Sequence, residues 1–118
     1  MIENIVRKYL KTVLRTPAFL EEPVSPPAGY ILVGKTGSSD SAYLSRATVT
    51  VQTYGASLLE AAALCGRVKA AMKEITSLEE VTRCECGGDY NFTDPDTHRY
   101  RYQAVFYITY YEEGVTIS

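Results

Sequence analysis

The sequence predicts an α+β fold: a single, mostly antiparallel β-sheet with two main helices packed against it, in the order α-β-β-β-α-β-β. Three observations carry that reading. Residues 2 to 15 place apolar side chains at three- and four-residue steps, and residues 47 to 54 alternate with period two. Residues 57 to 75 open with a helix-start signature and continue as an alanine-rich apolar stripe.

Taken in order, Ile2, Ile5, Val6, Tyr9, Leu10, Val13 and Leu14 form one face of the first helix, with Glu3, Arg7, Lys8, Lys11 and Arg15 on the other. Thr16-Pro17 ends it, because proline disfavours helical geometry in the residue before it and lacks an amide donor. Ala18 to Glu22 reads as a short extended piece. Pro23, Pro26, Pro27 and Gly29 make a stiff connection to a buried strand over 30 to 36, which starts Tyr30-Ile31-Leu32-Val33. The small polar run Gly37 to Ser41 predicts a mobile loop projecting over residues 37 to 46. In the next strand Ala47, Val49 and Val51 share one face and the hydroxyl side chains the other.

Ser57-Leu58-Leu59-Glu60 has the capping-box form, so a helix starts there. Its predicted interior holds Leu58, Leu59, Leu64, Cys65, Val68, Met72 and Ile75 among alanines that allow close approach to a sheet. The remainder is a long hairpin. An extended stretch from about residue 80 to 93 is interrupted at Gly87-Gly88, by a bulge or a turn, and Asp94-Pro95-Asp96-Thr97 turns the chain. A last strand over 98 to 111 sets Tyr100, Tyr102, Ala104, Phe106, Ile108 and Tyr110 on one face, with Arg99, Arg101, Gln103, Val105, Tyr107, Thr109 and Tyr111 on the other.

At 118 residues the chain is the size of one domain, and 46 % hydrophobic with 22 % charged residues is a globular composition. A net charge of −2 lacks the basic footprint of a nucleic-acid-binding protein. No stretch reaches the roughly 20 consecutive apolar residues of a membrane span. Three cysteines do not make a closed disulfide framework, which points to a reducing cytosol. Ten Tyr, three Phe and no Trp favour sheet surfaces and subunit contacts, since tyrosine buries its ring while keeping its hydroxyl wet.

Tests for chemistry return little. Cys84 and Cys86 share a strand face and would bind a metal only if His98 and Cys65 converged on them. His98, the single histidine, reads as a surface-turn residue, and Gly34-Lys35-Thr36-Gly37 echoes the end of a phosphate loop without its upstream glycines. The adjacent carboxylates Glu79-Glu80 and Glu112-Glu113 face opposite ways on extended backbone. No catalytic residue, metal site or cofactor is therefore expected. Arg99 and Arg101, with Arg83 across the hairpin, form a small basic stripe that either meets an acidic partner or keeps the outer face soluble. Aromatic area on both faces of the last strand means that the sheet is sandwiched or that its second face meets another subunit; the subunit is the favoured reading.

The helix Ile5-Val6-Arg7-Lys8-Tyr9-Leu10, the segment Thr16 to Pro23, the run Ala47 to Leu64, and Gly88 to Asp94 ahead of Arg99-Tyr100-Arg101-Tyr102-Gln103-Ala104 together resemble small proteins from the tail-morphogenesis clusters of siphophages and Gram-positive prophages. In size and element order the chain looks most like the tail terminator, or tail completion, proteins. That resemblance implies a non-enzymatic subunit of a ring, typically a hexamer, that caps the tail tube, stops its polymerisation and offers a surface to the head connector. It implies self, the tail tube protein and the connector as partners, and the host cytoplasm during assembly and then the virion tail as location. Ser38, Ser39, Asp40 and Tyr43 of the 37 to 46 loop, with Arg99, Arg101, Tyr107 and Tyr111 of the sheet face, are the expected contact residues. A head-tail connector or stopper, a small ligand-binding module and a host-directed regulator are the alternative readings.

Overall fold

A computed structural model describes residues 1–40 and 44–111. The elements are α1 (Ile2–Leu14), β1 (Ala18–Phe19), β2 (Tyr30–Asp40), β3 (Ser45–Tyr54), α2 (Leu58–Met72), a 3-10 turn at Ile75–Ser77, β4 (Val81–Asn91) and β5 (Arg101–Tyr110). The predicted α+β order is the observed one. The strands form one sheet in the order β1-β2-β3-β5-β4, antiparallel throughout except for the two-residue parallel pairing of β1 with β2.

Both helices lie against the same side of the sheet. On α1, Ile2, Val6 and Leu10 recur every four residues and are all buried. On α2 the buried stripe is Ala61, Leu64, Cys65, Val68, Ala71 and Met72. Beneath them sit Ile31 and Val33 of β2, Ala47, Val49 and Val51 of β3, and Ala104, Phe106, Ile108 and Tyr110 of β5. Each large side chain taken from water in this layer contributes about 1.5–3 kcal/mol. The helices are also tied to each other, for Tyr9 donates its hydroxyl to the Ala71 carbonyl at 2.6 Å and Arg67 reaches the Leu14 carbonyl at 2.9 Å. Burial, then the nearby Glu74 carboxylate, raises the Tyr9 pKa, so that hydroxyl stays a donor.

Local signals act where the sequence places them. The Ser57 hydroxyl accepts the Glu60 amide at 3.1 Å and starts α2. Arg15 adopts a left-handed conformation at the end of α1, and the Pro17 carbonyl then accepts the Ile31 amide, which seats β1 beside β2. The Asp94 carboxylate accepts the Asp96 amide at 2.9 Å and shapes the turn between β4 and β5. Gly87-Gly88 is a bulge rather than a turn: β4 keeps its pairing with β5 while the register shifts between Cys86 and Gly88. Gly88 has φ +122°, which favours glycine, and a Cβ on Gly87 would lie 2.5 Å from the Tyr107 ring, so any side chain there would push that ring aside.

Four expectations require correction. Within the expected 37 to 46 loop, residues 37 to 40 and 45 to 46 are strand instead: Gly37, Ser38, Ser39 and Asp40 pair with Thr48, Ala47, Arg46 and Ser45 and extend the hairpin, while residues 41 to 43 lie outside the described residues. Leu58 and Leu59 are exposed, since the first turn of α2 lies N-terminal to its contact with the sheet. The last strand begins at Arg101; Tyr100 lies outside it, with its carbonyl accepting the Gly55 amide at 3.2 Å, and Tyr111 follows it. Arg83 does not join Arg99 and Arg101, because the register sets it opposite Thr109 at the other end of β5.

Removing a ring from the buried layer tests this arrangement. Phe106→Ala is expected to lower unfolding free energy by about 3–5 kcal/mol in denaturant titrations. Tyr107→Ala, one residue along on the uncovered face, is expected to change it by less than about 1 kcal/mol.

Candidate functional site

With both helices on one side, no described element covers the other side of the sheet. That face is built from alternate residues: Leu32 and Gly34 of β2, Thr48, Thr50 and Gln52 of β3, Arg101, Gln103, Val105, Tyr107 and Thr109 of β5, and Glu85 and Tyr90 of β4. It divides into two halves with different chemistry.

The half near the prolines is latched by the protein itself. Tyr30 and Tyr54 stack with ring centroids 4.3 Å apart, and Phe19 meets Tyr30 edge-on at 6.0 Å. Arg99 sits 5.0 Å over the Tyr54 ring, and Arg101 lies 4.4 Å from the Phe92 centroid while donating to the Tyr54 hydroxyl at 3.1 Å. The Glu22 carboxylate accepts hydrogen bonds from both the Tyr30 hydroxyl and the Arg99 guanidinium. Tyr54, Gln52, Gln103 and Tyr90 continue as a hydrogen-bonded row across β3, β5 and β4, with Gln52 donating to Gln103 at 2.9 Å. Burial, then the bond to Glu22, pushes the Tyr30 pKa up. Burial opposes ionisation of Glu22, but the bonds from Tyr30 and Arg99 prevail and hold its carboxyl below the ordinary value of 4.5.

The other half is open. Tyr107 is 51 % exposed at its centre, and its ring lies over the Gly87 bulge. Around it Ser38, Ser39, Arg46, Thr48, Arg83 and Glu85 line a shallow depression of about 450 Å³. Arg83 pairs with Glu85. Hydroxyls, one aromatic ring and guanidinium groups on a broad, solvent-open surface suit contact with another macromolecule.

Of the predicted contact residues, Ser39 and Tyr107 share the open face at this depression, Ser38 borders it from the helix-side row of Ala47 and Ile108, and Asp40 ends the described part of β2, paired with Ser45. Tyr43 lies outside the described residues. Arg99 and Arg101 belong to the latched half and are engaged with Glu22, Tyr54 and Phe92. Tyr111 is half-buried just past β5, where its amide donates to the Glu80 carbonyl at 2.8 Å. Sequence reading missed Arg46, Thr48 and Glu85, which join Tyr107 only through the register of β3 and β4 on β5. The alternation along 47 to 54 assigned Thr48 to the right face; nothing local assigned its neighbours across the ladder.

The cysteines are separate from this surface. Cys65 is buried, its thiol 3.8 Å from the Asp89 carboxylate that also pairs with Lys69 at 2.9 Å. Burial, then Asp89, pushes the Cys65 pKa up to about 11. Burial, then Cys86, does the same at Cys84, also to about 11. Cys84 and Cys86 share the helix side of β4 beside Lys69 and Lys73. Among the described residues no group of three His, Cys, Asp or Glu side chains is placed to hold a metal ion. Among them no helix is long and apolar enough to cross a membrane.

No known family model matches the sequence, and no curated protein matches it significantly. The fold and this surface define a class on their own terms: a small α+β domain with helices on one side of a sheet and a partly latched, partly open face on the other.

Two measurements check the site. A carboxylate whose folded pKa is depressed stabilises the fold above its unfolded pKa and loses that contribution as pH falls through the folded value. The thermal midpoint is therefore expected to drop as pH is lowered below about 4, and Glu22→Gln to show a lower midpoint at pH 7 and a weaker fall in acid. With a chromogenic disulfide reagent at neutral pH, exposed Cys86 is expected to react first, Cys84 slowly, and Cys65 only after denaturant is added.

Proposed function

We propose that this chain is a structural protein of siphophage or prophage morphogenesis, a tail-terminator subunit. In this reading it forms a ring on the end of the tail tube, halts tube growth and presents a surface to the head connector, with no cofactor and no covalent chemistry. The single observation that carries the reading is the uncovered sheet face, with Tyr107 exposed at the centre of its open half. A sheet in a free-standing domain is stabilised by covering its apolar side only; an aromatic ring held in place over a glycine bulge on the wet side is a contact feature. The resemblance in size, segment phrasing and element order supplies the direction of the proposal. The net charge of −2 gives no basic footprint that would favour a nucleic acid partner, and the shallow depression suits a partner surface.

Light scattering across a concentration series, with and without purified tail tubes, tests it. A six-fold ring of 13.1 kDa subunits would have a mass of about 79 kDa. Such a ring, alone or on tubes, is the expected result, and Tyr107→Ser is expected to weaken attachment to tubes at least tenfold while the unfolding midpoint stays in place. A monomer that ignores tubes would remove the assignment and turn attention to a connector, a regulator or a ligand-binding module.

A further inference from the structure

A closed ring of identical subunits needs two different, complementary patches on each subunit. We propose that these patches are the two edges of the sheet: the free run of β2 on one copy pairs, antiparallel, with β4 of the next copy. The inference rests on the ring reading above and adds to it the strands that make the junction.

Polarity is the first support. Successive neighbours β2-β3-β5-β4 are antiparallel, so β2 and β4 run in opposite directions at opposite edges of one sheet. Placing a second copy beside the first, in the same orientation, brings a β2 against a β4 with the antiparallel sense of the rest of the sheet. Availability is the second. β1 covers the outer edge of β2 only at Ile31 and Leu32, and no described strand pairs with the outer edge of residues 33 to 40 of β2 or with the outer edge of β4. Neither run contains proline, and Lys35 is the one lysine in the two. Two long edges free of proline keep their outward main-chain groups available for pairing.

Register is the third. Following pairs across the sheet, Ser38 is level with Ala47, Ile108 and Cys84, and Val33 is level with Val51, Ala104 and Asp89. The Phe92 amide donates inward to the Arg101 carbonyl at 2.8 Å. By the two-residue alternation of an antiparallel ladder, Asp89 and Cys84 then turn their main-chain groups outward. On β2 the Ile31 amide points outward, to the Pro17 carbonyl, so Val33 and Lys35 point outward too, and after the extra residue at Thr36 so does Ser38. Outward groups on the two edges thus fall on the same rows, Ser38 with Cys84 and Val33 with Asp89. The bulges at Thr36 and Gly87 are adjacent to one another across such a junction, so the strand irregularity of one edge is matched by that of the other.

The junction places Ser38 of one copy across from Cys84 of the next, within the Cα separation that a disulfide spans, about 4.4–6.8 Å. In a Cys86→Ser background, Ser38→Cys is expected to give a ladder of covalent oligomers on non-reducing gels after copper-phenanthroline oxidation, abolished by adding Cys84→Ser. Ser39→Cys, whose side chain lies on the opposite face of the strand, is expected to give none. Ser38→Pro, which removes an outward amide and leaves the internal ladder intact, is expected to dissociate the ring with an unchanged circular dichroism spectrum. A ring by light scattering that Ser38→Cys fails to cross-link, or that cross-links equally through Ser39→Cys, overturns the edge junction while the ring stands. A chain that is monomeric both alone and on tubes overturns the ring and the junction together.

Discussion

The structure depends on a one-sided burial. Val49 and Val51 of β3, with Ala104, Phe106 and Ile108 of β5, form a strip down the middle of the sheet; α2 lies over that strip, and α1 lies beside it over β1 and β2. The two helices share one side of the sheet and meet along their flanks, where Tyr9 and Arg67 bond across to the other helix. Thr53 shows how complete the covering is: it is fully buried, and its hydroxyl finds a partner in the Ala61 carbonyl at 2.9 Å. Everything on the other side of the sheet is left to solve its contact with water without help from a helix. Near the prolines it does so by stacking tyrosines beneath arginines; around Tyr107 it does not.

That division gives the arginines and tyrosines different roles from those their abundance suggests. Arg99 and Arg101 could have been a basic stripe, yet their charge is spent on Glu22 and on the faces of Tyr54 and Phe92. The cation above a stacked pair holds the 20 to 29 segment against the turn after β4, so the proline-rich connection is pinned at both ends. Tyr107 has no such cover, and its ring owes its position to the absence of side chains at the bulge.

Most of the fold was legible because it rests on local signals. The period of α1, the alternation of 47 to 54, the Ser57 cap and the Asp94 turn each follow from a few neighbouring residues, and each is found; the glycine pair marks an interruption of β4, and the ladder with β5 makes it a bulge rather than a turn. The errors share a different origin. Leu58 and Leu59 look like core because nothing near them says where α2 first meets the sheet. Gly37 to Asp40 looks like a loop because its composition is that of a loop, while its strand conformation comes from the ladder with β3. Arg83 looks like a neighbour of Arg99 across the hairpin, and only the pairing of β4 with β5 carries it to the far end. The candidate surface depends on register in the same way, which is why Tyr107, Ser38 and Ser39 could be named singly but Arg46, Thr48 and Glu85 could not.

The bond between Gln52 and Gln103 joins residues 51 apart in sequence, across the seam where β3 meets β5. On either side of that seam lie two hairpins, β2-β3 and β4-β5, whose strands are near neighbours along the chain. The loss of chain entropy on folding is therefore concentrated in one event, the docking of two locally formed hairpins with α2 as the tether between them. The sheet is thus two ribbons joined along one seam, and that seam is the strand pairing whose closure spans the longest stretch of chain.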